Sequence, residues 1–415
     1  MKNLFEMALN IEAPWFIKDI DFKVEQKRLT ICIDFKEGSK FYYKDEGENI
    51  EGNFKAYDTE EKEWRHLNFF QHECFLKARI PRVDVGNNKI RLISAPWEGL
   101  CNGFTLLFEA LILQLSTYMP IHQVGKLANV SDYRIWKLLD RYVGTVREKN
   151  NYAEVATVGI DETSSRKGHN YITLFVDLKE KKTIFITEGK GNETVKEFVK
   201  DLEEHKGEKE KIRDVSCDMS PAFIKGVKEN LPVAEITFDK FHILKIINEA
   251  VDEVRRTEAK ENSILKNTRY IFLKNEANLT NAQKSKLEEL TMSNMNLKAV
   301  RALHIRENFQ EIYKAESIEQ FKFLLDKWYF WATHSKLESI KEAAKTIKDH
   351  WDGVVRWKLS QINNGILEGL NSIIQAVKAK ARGFTTLKNF KIIAYLVTGK
   401  LNFNWVNKNC LPTQN

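Results

Sequence analysis

Over the first 95 residues apolar and polar positions tend to alternate with a period of two. Arg28-Leu-Thr-Ile-Cys-Ile-Asp-Phe alternates, Lys40-Phe-Tyr-Tyr follows a Gly-Ser turn, and Phe75 to Val85 is a further extended run ended by Gly-Asn-Asn. This pattern predicts a small β-rich module over 1–98. From Phe104 the period lengthens to 3.6, with Leu106, Leu107, Ala110, Leu111, Gln114 and Leu115 on one stripe, and helices continue to about Lys149. Within that stretch Ile121 to Tyr142 reads as two helices joined at Asn129-Val-Ser. Ala128 and Val130 pack between them, Ser131 serves as N-cap, and Ile135, Leu138 and Leu139 face inward. The expectation is a helix-turn-helix domain over 99–150, with Asp132, Tyr133, Arg134 and Lys137 at the exposed start of its second helix.

Beyond Tyr152 the two periods interleave. Strands are predicted at 155–161, 170–177, 183–188, 212–217 and 234–238, and helices at 193–205, 221–229 and 241–259. Three strands, then helix, strand, helix, strand is a ribonuclease-H-like order, so an α/β catalytic domain is expected over 151–259. Residues 260–355 are rich in Lys and Glu at helical spacing and predict an all-helical insertion, which includes the aromatic run Trp328-Tyr-Phe-Trp. A helix from Ile362 to Ala381, stopped by Gly383, then returns to the catalytic domain over 356–402. The fold class is an α+β multidomain protein.

Composition narrows the picture modestly. With 415 residues and 43 % hydrophobic content the chain exceeds one core, and 65 Lys plus Arg against 58 Asp plus Glu leave a net charge of +7, suited to phosphate backbones. Cys32, Cys74, Cys101, Cys217 and Cys410 lack any Cys-x-x-Cys spacing, which points away from a disulfide framework and towards a reducing cytoplasm. No basic-then-apolar leader opens the chain, and the most apolar run, Phe104 to Leu115, is short and contains Glu109. Secretion and membrane spanning are not expected.

The candidate chemistry lies in three carboxylates. Asp161 closes a strand-like run containing Val155, Val158 and Ile160, and the chain is expected to turn there, at Glu162-Thr-Ser-Ser. Asp218 closes the strand of Val215 and Cys217 just before Pro221 starts a helix. Adjacent parallel strands would bring both to one sheet edge. Glu368 lies on a helix whose apolar positions Ile366, Leu370, Ile373, Ile374 and Val377 face a core, while Glu368, Asn371, Gln375 and Arg382 follow another stripe. Three such carboxylates can hold two Mg²⁺ ions for in-line phosphodiester hydrolysis. Taken singly, each also fits a solvated strand end, a helix cap or a solvated helix position.

The words around these carboxylates resemble bacterial insertion-sequence transposases of the ISL-three type. They are Val158-Gly-Ile-Asp-Glu-Thr-Ser-Ser-Arg-Lys-Gly-His-Asn-Tyr, Cys217-Asp-Met-Ser-Pro-Ala-Phe-Ile-Lys-Gly, Phe238-Asp-Lys-Phe-His-Ile-Leu-Lys-Ile-Ile-Asn-Glu-Ala-Val-Asp-Glu-Val-Arg-Arg, and Glu368-Gly-Leu-Asn-Ser with Ala381-Arg-Gly-Phe. The likeness runs from about Trp64 to Leu401. It implies that Asp161, Asp218 and Glu368 are the DDE triad, with Mg²⁺ or Mn²⁺ as a pair of ions. The implied enzyme binds terminal inverted repeats, frees 3′-hydroxyls and joins them to target DNA, and is expected to act as a homo-oligomer on double-stranded DNA in the bacterial cytoplasm. A non-enzymatic regulator derived from such a protein is the alternative.

Asp239 and His242 match the family's Asp-x-Phe-His words, and two roles are open for them: support of the triad, or helix cap and packed first-turn residue. Arg166, Lys167 and His169, and Arg382 further on, are candidate phosphate contacts. Trp328, Tyr329, Trp331 and Trp351 are candidate DNA or oligomer contacts, with plain helical core as the other reading. Relatives commonly carry an N-terminal zinc ribbon around a segment like Trp64-Arg-His-Leu, but here Phe41-Tyr-Tyr-Lys and Val83-Asp-Val-Gly-Asn-Asn stand where its cysteines would. With only His66, His72 and Cys74 nearby, no zinc is expected, and aromatic packing is expected to hold the module.

Overall fold

A computed structural model of the chain describes residues 2–87, 89–166, 170–292, 296–362 and 365–403. The chain divides into two compact units, one of residues 1–149 with 377–415 and one of residues 150–376. Among the described residues no helix is long and apolar enough to cross a membrane.

The first unit opens with α1 (Lys2–Ala8) and a sheet of β1 (Trp15–Lys23), β2 (Arg28–Phe35), β3 (Lys40–Asp45), β4 (Ile50–Phe69), β5 (His72–Asp84) and β6 (Ile90–Leu92). The strand order is β1-β2-β5-β4-β3, with β6 on β5. Its longest element, β4, escapes period-two reading because its first part alternates exposed with half-buried positions and only Trp64-Arg-His is buried. β1 escapes it too, since only Trp15 and Ile17 are buried there. Ile31, Ile33, Trp64, Leu76 and Ile80 form the core, and the Trp15 ring lies 5.3 Å from Trp97 and 5.6 Å from both Phe35 and Phe41. Three helices follow: α2 (Leu106–Tyr118), α3 (Ile121–Ala128) and α4 (Asp132–Glu148).

The second unit carries β7 (Thr157–Arg166), β8 (Asn170–Asp177), β9 (Lys182–Glu188), α5 (Glu193–Glu204), β10 (Asp214–Cys217), α6 (Pro221–Asn230) and β11 (Glu235–Phe238). The five strands lie in the order β11-β10-β7-β8-β9. β7, β8 and β9 form an antiparallel meander, whereas β10 runs parallel to β7 and β11. Val158, Ile160, Phe175, Val195, Phe198, Val215, Cys217 and Phe223 share one buried core. One boundary differs from expectation: β7 does not turn after Asp161 but continues to Arg166, because its pairing with β8 persists to Arg166–Asn170.

A helical succession follows: α7 (Lys240–Glu261), α8 (Arg269–Leu273), α9 (Asn281–Met292), α10 (Lys298–Ile312), α11 (Ile318–Thr333), α12 (Glu338–Asp349), α13 (Trp351–Ser360) and α14 (Gly365–Lys380). Trp328 is core, its Nε1–H donating to the Ile305 carbonyl at 2.9 Å, whereas Trp331 is exposed and Tyr329 and Trp351 are half-buried. On α14 the inward positions are Leu367 and Ile374, while Ile373, expected in the core, is exposed. The turn after α14 is closed by Gly383, whose N–H donates to the Lys378 carbonyl at 2.9 Å with φ at +96°. Last comes α15 (Leu387–Thr398), which packs on α4 and α2 within the first unit.

Candidate functional site

The parallel strands set three aspartates in one row. Pairing of Val215 with Val158 and of Ser216 with Gly159, continued by two residues, brings Asp218 level with Asp161. Pairing of Cys217 with Phe238, continued by one, brings Asp239 level with Asp218. Each aspartate lies just beyond its last pair with β10, although Asp161 stays paired with Leu174 on β8. Asp161 accepts from the Glu162 N–H at 2.9 Å and from Asn371 Nδ2 at 3.0 Å. Asp218 accepts from the Ser220 N–H at 3.0 Å, shaping the entry to α6. Asp239 is buried; one oxygen caps α7 by accepting from the Phe241 N–H at 3.1 Å, and the other meets His242 Nδ1 at 3.0 Å.

Asp239 thus forms the cap of α7, and the half-buried imidazole of His242 lies within electrostatic reach of Asp161 and Asp218. Burial pushes the Asp161 carboxyl up to about 6. The Asn371 and Glu162 hydrogen bonds and the His242 charge pull it down, and the Asp218 charge adds to the rise. His242 is shifted upward, chiefly by its hydrogen bond to Asp239, against burial. The arrangement favours the protonated form of the imidazole beside the acidic row.

Glu368 lies on α14, which runs along β7. Gly159 makes the approach possible: a Cβ there would stand 2.8 Å from Leu367 and 2.9 Å from Leu178. One helical turn on, Asn371 bonds Asp161, and a further turn on, Gln375 bonds Thr163 and the Ser164 carbonyl. Glu368 stands beside Leu367 in the first turn of α14, with its side chain exposed. Asp239 and His242 are in contact and His242 feels the charges of Asp161 and Asp218, whereas among the described residues no three His, Cys, Asp or Glu are grouped tightly enough to hold a metal ion. The donors at the row are hard oxygens, and the Asn371 Oδ1 is buried without a hydrogen-bond partner. Hard oxygen donors of this kind suit a hard divalent cation such as Mg²⁺ or Mn²⁺. The sequence reading placed Asn371 on the Glu368 stripe but gave it no role; its position one helical turn from Leu367 was the available signal.

The first unit presents a second candidate surface. α3 ends at Asn129 in the left-handed conformation, and α4 starts after Ser131, which is extended as an N-cap should be but makes no side-chain capping bond. Gly125 allows the tight junction, since a Cβ would stand 2.8 Å from Asp132 and from the Val130 carbonyl. Ile135, Leu138 and Leu139 are fully buried. Asp132, Tyr133, Arg134 and Lys137 are exposed. Arg134 is anchored, its guanidinium 3.9 Å above the Phe104 ring and bonded to the Asn102 carbonyl at 3.2 Å, and Asp132 lies 3.6 Å from His122. Arg141, missed in the sequence, shares a surface recess with Tyr133, Arg134 and Lys137; its spacing of four from Lys137 was the available signal.

Arg166 is exposed at the end of β7, and Arg382 is exposed in the turn after α14. Lys167 and His169 lie outside the described residues. In the sheet module His66 contacts the Thr105 hydroxyl at 2.8 Å and is pushed down to about 4 by burial, the His72 ring packs edge-on against Phe22, and Cys74 is buried.

Residues 158–394 match the family profile of a DDE transposase of family ISL3, and residues 102–143 match the helix-turn-helix domain of the same family. The chain is 26 % identical to the transposase for insertion sequence element IS1001 of Bordetella parapertussis over 349 residues, covering 81 % of this chain and 84 % of that protein. It is 25 % identical to the transposase for insertion sequence element IS1557 of Mycobacterium tuberculosis over 364 residues, covering 81 % of each.

Proposed function

The chain belongs to the ISL3 family of insertion-sequence transposases, enzymes acting on DNA, and from that premise we propose that it cuts and joins DNA with a triad of Asp161, Asp218 and Glu368. The observation that carries this reading is the β7–β10 register, which when continued brings Asp161 level with Asp218, with α14 bonded to Asp161 through Asn371 three residues after Glu368. We assign the five-stranded sheet to the ribonuclease-H-like class, with 260–355 as its helical insertion.

Bound divalent cations, two of them, would supply Lewis acidity on both sides of the scissile phosphate. Asp161 and Asp218 would hold them from the sheet and Glu368 from the helix. His242, steadied by Asp239, keeps a positive charge beside the row and opposes the negative charge gathered there when phosphate enters. Water attacks phosphorus, the P–O3′ bond breaks and the 3′-oxygen leaves with a proton. The freed 3′-hydroxyl then attacks a target phosphodiester, losing its proton and releasing a target 3′-hydroxyl. The helix-turn-helix reads the terminal inverted repeats through Tyr133, Lys137 and Arg141 on α4, with Arg134 fixed as part of its frame. Arg166 and Arg382 meet phosphate, and a homo-oligomer brings two ends together.

The deciding experiment is cleavage and strand transfer on labelled DNA carrying the element's own ends, with Mg²⁺ or Mn²⁺. Metal-dependent 3′-hydroxyl ends and joined products from the native chain are expected, with both lost in Asp218→Asn and Glu368→Gln while end binding persists. End binding without any cleavage by the native chain overturns the catalytic reading in favour of a regulator.

The DNA-reading face has its own test. Lys137→Ala with Arg141→Ala is expected to weaken end binding about 10–100-fold at moderate salt and to reduce the slope of log affinity against log salt by about 2, one unit per lost phosphate contact. A mobility-shift series from low to moderate salt reads both, and an unchanged slope rejects these residues as phosphate contacts.

A further inference from the structure

The seam between α14 and β7 is regular. Leu367, Asn371 and Gln375, four apart on the helix, meet Gly159, Asp161 and Thr163, two apart on the strand. Four helical residues rise about 6 Å and two strand residues about 6.6 Å, so one face of the helix stays in step with one face of the strand over three rungs. The outer rungs are docking contacts: apolar packing at Gly159, and the Gln375 amide on Thr163 and the Ser164 carbonyl. The middle rung differs from both. Asn371 Nδ2 donates to Asp161 Oδ2 at 3.0 Å, while its Oδ1 is buried with no hydrogen-bond partner. A buried amide oxygen left without a donor is unfavourable, and such an oxygen calls for a partner. Because the amide is short and planar, that oxygen stands in the immediate neighbourhood of the Asp161 carboxylate.

We infer that Asn371 belongs to the metal-holding apparatus: its Nδ2–H orients Asp161, and its unpartnered Oδ1 is a further oxygen partner for the hydrated divalent cation beside Asp161. This rests on the reading of Asp161 as a metal ligand. Asn371 acts partly through Asp161 and is to that extent a positioning residue. Its amide also keeps Glu368, three residues earlier, at a fixed register along β7.

Calorimetric titration of the full chain with Mn²⁺ tests the inference, using Asn371→Leu, which keeps the side-chain branching but removes both polar atoms. The expected result is affinity weakened about 10–100-fold, the usual consequence of removing a group that orients a ligand. Raised Mn²⁺ restores cleavage by this variant towards the native rate, which a misfolded site would not allow. Gln375→Leu removes the neighbouring rung of the same seam and is expected to leave Mn²⁺ affinity within about twofold. The inference is overturned if Asn371→Leu binds Mn²⁺ like the native chain while Asp161→Asn does not bind it. It is equally overturned if Gln375→Leu weakens binding as much as Asn371→Leu, since the seam as a whole would then be responsible. Undiminished Mn²⁺ binding by Asp161→Asn removes the underlying assignment of Asp161, and this inference with it.

Discussion

Asp161→Asn is expected to abolish metal-dependent cleavage, by at least about a thousandfold, and at the same time to make the metal-free protein more stable at pH 7. The loss would follow from removing a proposed charged ligand on which several kcal/mol of transition-state stabilisation would depend. The gain follows from burial, which raises the carboxyl from its ordinary 3.8 to about 6. For a group raised in this way, the stabilising contribution is fully present below pH 3.8 and is lost as pH rises through about 6. Above that, the folded protein carries a buried carboxylate at a disadvantage of about 3 kcal/mol. Asn avoids the charge but turns its NH₂ towards either the Glu162 N–H or the Asn371 amide, which costs about 1 kcal/mol. A net stabilisation of about 1–2 kcal/mol at pH 7.5 in EDTA is expected from denaturant unfolding, vanishing by about pH 4. A variant less stable than the native chain at pH 7.5 would show that the buried charge is not the cause.

The largest expected effect on folding lies in the first unit, at Glu109. This α2 carboxylate is fully buried and accepts from the Leu100 N–H and the Cys101 N–H at 2.7 Å each, and from the Tyr142 hydroxyl of α4. It therefore ties the loop before α2 to the helix carrying Tyr133 and Lys137, and that same loop supplies the Phe104 ring and the Asn102 carbonyl on which Arg134 rests. Glu109→Ala strands three buried donors and is expected to destabilise this unit by about 3–5 kcal/mol, with Glu109→Gln losing about 1–2 kcal/mol because one acceptor survives. Urea unfolding and a mobility-shift assay measure the two consequences together. Binding to the element's ends should fall with the folded fraction, while Mn²⁺ binding in the second unit is kept. An Ala variant within about 1 kcal/mol of the native chain would show that the loop finds other partners.

Much of the site was legible because its signals are local. Val158 and Ile160 alternate into the core, Val215 and Cys217 do the same, and Pro221 marks the start of α6, so the strands delivering Asp161 and Asp218 stood out by period and punctuation. The helix-turn-helix was legible for the same reason, with Ile135, Leu138 and Leu139 inward where the stripe put them. Expectation failed where two elements share the burial. Ile373 is apolar yet exposed, because Leu367 and Ile374 meet the neighbouring structure and one face of α14 suffices. β7 outruns its apolar segment, because pairing with β8 satisfies its backbone through polar residues as far as Arg166.

By itself the sequence determined most strands and helices of the second unit, the inward face of the helix-turn-helix, and the words that place the chain in its family, since all of these are written in neighbouring residues. What only the tertiary structure decided is register. The level row of Asp161, Asp218 and Asp239 depends on how three strands slide past one another, and the Asn371–Asp161 bond joins residues 210 apart in the chain. No local period encodes such a distance. It is settled by packing and by the need of each buried polar group for a partner, which act only once the chain has folded.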